Sequence, residues 1–193
     1  MKLDWYDMPW QHFEVNNFLS ENELQDVRQY FSTLSVPQSG NDHLRHNTII
    51  SPVCEKNDIS KIISDRFIEL LNQTPVKWDE SKLEIWMEYD RIYPNFGWKI
   101  HNDLDTKLVS FILHISDKGT GTRLFENEDG SGDKRIVNWI PGGGGGFVRG
   151  DKTWHSFDTF EHDTMRHTVI LTARLKDKVN QKPNPNVPIT KVL

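Results

Sequence analysis

The chain is poor in cysteine, with one, Cys54, among 193 residues. That excludes a disulfide framework within the chain, a thiolate zinc cage and a cysteine-ligated iron–sulfur cluster. Long apolar runs are missing too: no stretch approaches eighteen residues, so no membrane-spanning helix is expected. There is no basic surplus, since 23 Lys and Arg stand against 28 Asp and Glu, for a formal net charge of -5. This argues against a general binder of nucleic acid or anionic membranes. Met1 to Asp7 lack the basic and apolar regions of a secretion signal, which with the lone cysteine points to the cytoplasm. What is present is eight histidines and 28 carboxylates. Any metal would have to be held by these, and they suit harder ions than thiolates do.

Hydrophobic residues make up 36% of the chain, enough at this length for one domain with a sizeable core. Residues 1–193 read as a single domain with a helical part to about residue 80, a strand-rich part over about 81–176 and an extended, Asn-Pro-containing tail over 177–193. Ser20-Glu21-Asn22-Glu23 has capping-box spacing and precedes Leu24, Val27, Tyr30 and Phe31 at helical intervals. A second helix follows Asn57-Asp58, with Ile59, Ile62, Ile63, Phe67, Leu70 and Leu71 on its apolar stripe.

From residue 83 the apolar period falls to two. Leu83, Ile85, Met87, Tyr89, Arg91 and Tyr93 share one face, with Glu84, Trp86, Glu88 and Asp90 on the other. In the run 108–116, Val109, Phe111, Leu113 and Ile115 oppose Leu108, Ser110, Ile112 and His114. In 166–175, His167, Val169, Leu171 and Ala173 oppose Arg166, Thr168, Ile170 and Thr172. Short strands between turn-rich segments predict an antiparallel sandwich or barrel, so the class is mainly β with flanking helices, α+β. Gly142 to Gly146 could suggest a phosphate cradle, but that needs a helix afterwards, and Phe147-Val148 reads as strand. A flexible hairpin turn is the expectation there.

A histidine and a carboxylate two apart on a strand point to the same side and can reach one ion. The chain has two such pairs, His12-Phe13-Glu14 and His101-Asn102-Asp103. At this composition chance supplies about one, so context must choose between them. The first precedes the first helix, has no evident strand partner and reads as an ordinary surface pair. The second lies between two strong strands. Some fifty residues on comes Trp154-His155-Ser156-Phe157, and then Arg166 opens the last strand. Two histidines and one carboxylate from different strands make a facial triad that leaves positions open on iron(II). Asp105 is a rival carboxylate on the same side of an extended backbone, but two residues further along.

Over about residues 83–175 the pattern resembles the iron(II)- and 2-oxoglutarate-dependent dioxygenases: His-X-Asp, a distal His and a basic residue about ten positions later. Phe18-Leu19-Ser20 is similar to the entry segment of that family. The resemblance implies a double-stranded β-helix (jelly-roll) core, with Fe(II) held by His101, Asp103 and His155 as metal-ligating and catalytic residues. It also implies 2-oxoglutarate and O2 as co-substrates, with the planar fork of Arg166 on the distal carboxylate. Tyr93-Pro94-Asn95-Phe96-Gly97 resembles the co-substrate tyrosine stretch of the prolyl-hydroxylase-like branch. There Tyr93 would touch the co-substrate, and His114 stands where the branch often has a second tyrosine, as a co-substrate contact or a satisfied strand-end histidine; Tyr89 reads equally as core or as a co-substrate contact.

Arg174 follows Arg166 by eight residues, not the six of the nucleic-acid demethylase branch, so a nucleic-acid substrate is disfavoured. The expected reaction is decarboxylation of 2-oxoglutarate to succinate coupled to hydroxylation of a protein side chain or small molecule. A charge at Arg166 inside an apolar barrel independently favours an anionic ligand. Two other classes fit the sequence: a cupin-like metal-dependent barrel enzyme that does not use 2-oxoglutarate, and a non-catalytic binding barrel. Trp98, Trp154 and Arg123 are candidates for the mouth of the site.

Overall fold

The chain first commits to helix at Ser20. The Ser20 N–H donates to Glu23 Oε2 (2.7 Å) and the Glu23 N–H donates to Ser20 Oγ (3.3 Å), closing the capping box that the spacing predicts. The computed structural model describes residues 1–33, 45–49, 58–94, 96–158 and 165–176, with 45–49 and 80 described by backbone alone. Cys54, most of the 32–57 segment and the 177–193 tail lie outside the described residues.

The elements in order are β1 (Lys2–Tyr6), β2 (His12–Asn16), α1 (Glu21–Thr33), β3 (Arg45–Ile49), α2 (Asp58–Gln73), β4 (Leu83–Ile92), β5 (Trp98–His101), β6 (Lys107–His114), β7 (Thr122–Phe125), β8 (Lys134–Ile136), β9 (Gly144–Val148), β10 (Trp154–Phe157) and β11 (Arg166–Leu175). They form a seven-stranded sheet in the order β1-β2-β9-β6-β11-β4-β3 and a four-stranded sheet in the order β5-β10-β7-β8. Every described ladder is antiparallel. The architecture is mainly β with two helices, in a jelly-roll arrangement, as the strand pattern and the resemblance imply. No helix among the described residues is long and apolar enough to cross a membrane.

The larger sheet has two chemically distinct faces. Val109, Phe111, Leu113, Val169, Leu171, Ala173, Met87 and Tyr89 are fully buried in one core with Phe31 of α1 and Phe67 of α2. Phe67 lies 6.3 Å from Phe111 with nearly parallel rings. Truncating such a ring to Ala costs about 3–5 kcal/mol. The opposite face carries Ser110, Ile112, Arg166 and Ile170 and looks toward the smaller sheet, so alternation in β6 and β11 separates core from site as expected.

Three expectations are corrected. The first part is not purely helical, because β1, β2 and β3 lie within it. His12-Phe13-Glu14 is therefore no surface pair: it sits on β2 between β1 and β9, with His12 fully buried and Glu14 nearly so. The glycine run is also not a loose turn. Gly142 makes the turn at φ +71, and Gly144 to Gly146 then enter a buried strand between β2 and β6. A Cβ on Gly145 would lie 2.4 Å from Val137 Cγ1, and one on Gly146 would lie 2.4 Å from Phe13 Cζ. Side chains from other elements fill the space, so only glycine fits there.

Candidate active site

A cavity of about 390 Å³ opens between the two sheets. His101 ends β5 and His155 sits on β10, and the two are direct cross-strand partners with ring centroids 4.2 Å apart. After His101 the chain turns, bringing Asp103 back over the inner face of β6. One ligand atom from each of His101, Asp103 and His155 lies within 4.8 Å of the others, a group that could hold a metal ion.

The local bonds prepare these three side chains. His101 Nδ1 faces the Lys99 carbonyl at 2.9 Å, and His155 Nδ1 faces the Thr153 carbonyl at 2.8 Å. A carbonyl only accepts, so each Nδ1 carries a proton, and in the neutral ring that tautomer leaves the lone pair on Nε2. Burial first, with His101 adding to it against the opposing pull of Asp103, pushes His155 down to about 4, which leaves it neutral at pH 7. Burial alone would raise the Asp103 carboxyl. The Lys107 ammonium, His155 and hydrogen bonds from Lys107 (2.6 Å) and Ser110 (2.7 Å) outweigh it and hold the carboxyl below its ordinary value. Each carboxylate oxygen keeps a further lone pair beside its donor. Two imidazoles with Nε2 turned to the cavity and a carboxylate form a donor set that suits iron(II).

Asp105 is excluded from this group. It pairs with Arg149, whose Nε also donates to the Asp103 carbonyl at 3.3 Å. Arg166 lines the same cavity and is 3% exposed. Its Nε donates to the Thr120 carbonyl (3.2 Å), and its guanidinium lies 4.4 Å from the Phe157 ring and 5.1 Å from the Trp139 ring.

The other expected co-substrate contacts are placed elsewhere. Tyr89 faces the helices: it stacks on Phe31 at 4.1 Å and its hydroxyl bonds His167 Nδ1 at 2.9 Å. Its cross-strand partner is Val169, on the core side of β11, so its side chain points away from Arg166. Tyr93 falls just beyond the end of β4 and does not line the cavity. His114 does lie on the inner face, yet it is fully buried outside the cavity lining. It stacks on Trp139 at 4.1 Å and accepts a bond from the Ile140 N–H at Nδ1. Burial, then the Arg166 charge, pushes it down to about 3. His114 therefore backs the indole against which Arg166 rests. Trp98 lines the mouth, whereas Trp154 and Arg123 do not, and Arg123 pairs with Asp158.

Sequence reasoning passed over Glu88, Asp90, Lys107, Phe147 and Phe157, and gave Arg174 no part in the site; all six line the cavity. For Glu88 and Asp90 the signal was present, since β4 alternates and its second face is acidic. Phe147 and Phe157 carry no local mark, because their place follows from how the two sheets meet.

No protein-family model matches the sequence, and no curated protein does either. Solved structures do match. A prolyl-4-hydroxylase from Pseudomonas putida aligns over 86% of this chain and 92% of its own, with 13% identity and a TM-score of 0.62. A Trichoplax adhaerens prolyl hydroxylase, solved with a hypoxia-inducible-factor peptide, covers 86% and 84%, at 17% identity and 0.62. HygX from Streptomyces hygroscopicus, holding nickel, 2-oxoglutarate and hygromycin B, covers 86% and 83%, at 9% identity and 0.65. The chain thus shares its fold with these solved structures, which include prolyl hydroxylases and a protein described as of the 2OG-Fe(II) oxygenase family.

Proposed function

We propose that this protein is an iron(II)- and 2-oxoglutarate-dependent dioxygenase that hydroxylates a protein side chain or a small molecule. The observation that carries the reading is the sharing of one cavity by the His101-Asp103-His155 group and the buried guanidinium of Arg166. His101 and His155 would hold iron through Nε2, and Asp103 through a carboxylate oxygen. Iron(II), when bound, supplies oxygen activation: 2-oxoglutarate and O2 give succinate and CO2, and the second oxygen atom enters a substrate C–H bond.

This chain's own residues do the positioning. The Lys99 and Thr153 carbonyls fix both imidazoles in the tautomer that offers Nε2. Ser110 and Lys107 orient the Asp103 carboxylate and keep it charged. Arg166 would take the distal carboxylate of 2-oxoglutarate, its plane set by the Phe157 and Trp139 rings. Phe147, Ile112 and Phe157 exclude water from the space between. HygX binds 2-oxoglutarate with a small molecule and the T. adhaerens enzyme binds a peptide, so both substrate classes suit this fold. The single cysteine of the sequence accords with a cytoplasmic setting.

A cupin-like enzyme would recruit further histidines. Among the described residues the converging group has two histidines and one carboxylate. The test is anaerobic loading with Fe(II), followed by 2-oxoglutarate and O2, with product masses screened for +16 Da. The dioxygenase reading expects Arg166→Ala to lose succinate formation at low 2-oxoglutarate. An enzyme that does not use 2-oxoglutarate would keep its activity in that variant, and a binding barrel would show no stoichiometric iron site.

A further inference from the structure

Asn102, between the two ligands of His101-Asn102-Asp103, uses its full hydrogen-bonding capacity. Its Nδ2 donates to the Gly150 carbonyl (3.2 Å) and the Asp151 carbonyl (2.9 Å). Its Oδ1 accepts from the Asp103 backbone N–H (3.0 Å) and the Thr153 hydroxyl (2.6 Å). These four partners fix the amide orientation, because a flip would set oxygen against two carbonyls and NH2 against an N–H. Thr153 is 3% exposed. Its hydroxyl has one proton, and Asn102 Oδ1 is a nearer acceptor than the Gly150 carbonyl at 3.0 Å. Its own carbonyl accepts from His155 Nδ1.

A continuous path of bonds results. Asp103 N–H and Thr153 O–H meet on Asn102 Oδ1, and the Thr153 carbonyl holds the His155 ring. The path joins two ligand-bearing segments about fifty residues apart in sequence. Among the described residues, the backbone ladder between them is β5–β10, which pairs His155 with His101 and then shifts register before Phe157 and Trp98. So irregular a ladder is a weak constraint on where Asp103 sits relative to His155.

We infer that Asn102 and Thr153 are positioning residues that set the Asp103–His155 separation and thereby the affinity for the metal; this rests on the metal-site reading above. The role requires an amide at 102 and a hydroxyl at 153. Asn102→Asp keeps the accepting oxygen but turns the donor end into a carboxylate oxygen facing two carbonyls. Coulomb attraction by itself predicts tighter cation binding from the added negative charge. Loss of positioning predicts weaker binding, so the two accounts differ in sign.

The experiment is anaerobic calorimetric titration of the full chain with Fe(II), with a Co(II) absorption spectrum to report coordination geometry and thermal melting of the metal-free protein. Asn102→Asp and Thr153→Val are expected to weaken binding by roughly 10- to 100-fold and to alter the Co(II) spectrum, the usual range for groups that orient metal ligands. Thr153→Ser, which keeps the hydroxyl, should rescue the wild-type affinity and spectrum. Binding by Asn102→Asp as tight as wild type or tighter overturns the inference, whatever the melting temperatures. So does a Thr153→Ser variant that binds as weakly as Thr153→Val. Should Thr153→Val not fold, the other two variants still decide. A wild-type protein that takes up no metal removes the metal reading and this inference together, whereas equal affinities remove the inference alone.

Discussion

The two His-X-acid pairs have the same spacing but differ in placement: His12 and Glu14 lie buried on β2, whereas His101, half-buried, ends β5 and half-buried Asp103 follows it off the strand. At β2 the strand runs on between two neighbours, and each side chain is engaged by its own region. His12 Nδ1 donates to the Trp10 carbonyl (2.8 Å), and Glu14 Oε1 accepts from Arg135 Nε and an Arg135 amino group. Arg135 in turn lies over the Tyr6 ring at 3.5 Å. At β5 the strand ends at His101, the chain turns, and His155 stands directly opposite in register. A group that could hold a metal ion is thus made by a strand terminus, a turn and a second strand, and the i, i+2 spacing is only one part of it.

The widest separation between the pairs comes from removing each acid. Asp103→Ala should weaken Fe(II) binding by more than roughly a hundredfold, beyond what orienting groups contribute. Glu14→Ala should leave Fe(II) binding intact while lowering unfolding free energy by about 1–3 kcal/mol, because Arg135 loses its acceptor. Calorimetric titration and urea unfolding of both variants measure this. Loss of iron binding on removing Glu14 would break the comparison.

Next in size is the far end of the cavity. Arg166→Ala should keep Fe(II) affinity and raise the 2-oxoglutarate concentration needed for half-maximal turnover. The loss of a charge-assisted bond worth about 1.5–3 kcal/mol corresponds to a factor of roughly ten to a hundred and fifty. Arg166→Lys should recover only part, since an ammonium lacks the bidentate fork.

The third prediction concerns His114, which packs behind Arg166 and Trp139. Its folded pKa lies at about 3, below the ordinary 6.5, so the unfolded chain binds its proton first as pH falls. Its contribution to stability is complete above pH 6.5 and is lost progressively down to about pH 3, with a slope of at most about 1.4 kcal/mol per pH unit. His114→Asn can keep an acceptor for the Ile140 N–H, and should flatten the fall in unfolding free energy between pH 6 and 4. An unchanged pH slope would contradict the buried neutral state. The smallest effect is that of Tyr89→Phe. It should cost about 0.5–1.5 kcal/mol for the bond to His167 and leave the 2-oxoglutarate requirement where it was. A raised requirement would return Tyr89 to the site.

Much of the layout was legible in the alternation of β6 and β11, which places Arg166, Ser110 and Ile112 on one face and the core on the other. The same rule, carried across the β4–β11 ladder, puts Tyr89 with Val169 and so against its proposed co-substrate contact. Periodicity was readable there, and of the two readings open for Tyr89 it favours the core. His114 was read on the correct face, but Trp139, which comes from a distant loop, covers it, and nothing in the strand's own sequence shows that. The buried glycine strand was not readable, since what excludes side chains at Gly145 and Gly146 is Val137 and Phe13 from other elements. Nothing in the local sequence marks Asn102, because its side-chain partners lie about fifty residues away, at Gly150, Asp151 and Thr153.

The most direct test of the central claim is succinate formation by the Fe(II)-loaded protein supplied with 2-oxoglutarate, with and without O2, in wild type and in Asp103→Ala. The dioxygenase reading predicts oxygen-dependent succinate from the wild type, with CO2 in equal amount, and none from the variant. No succinate from iron-loaded wild type, or full turnover by Asp103→Ala, would contradict it.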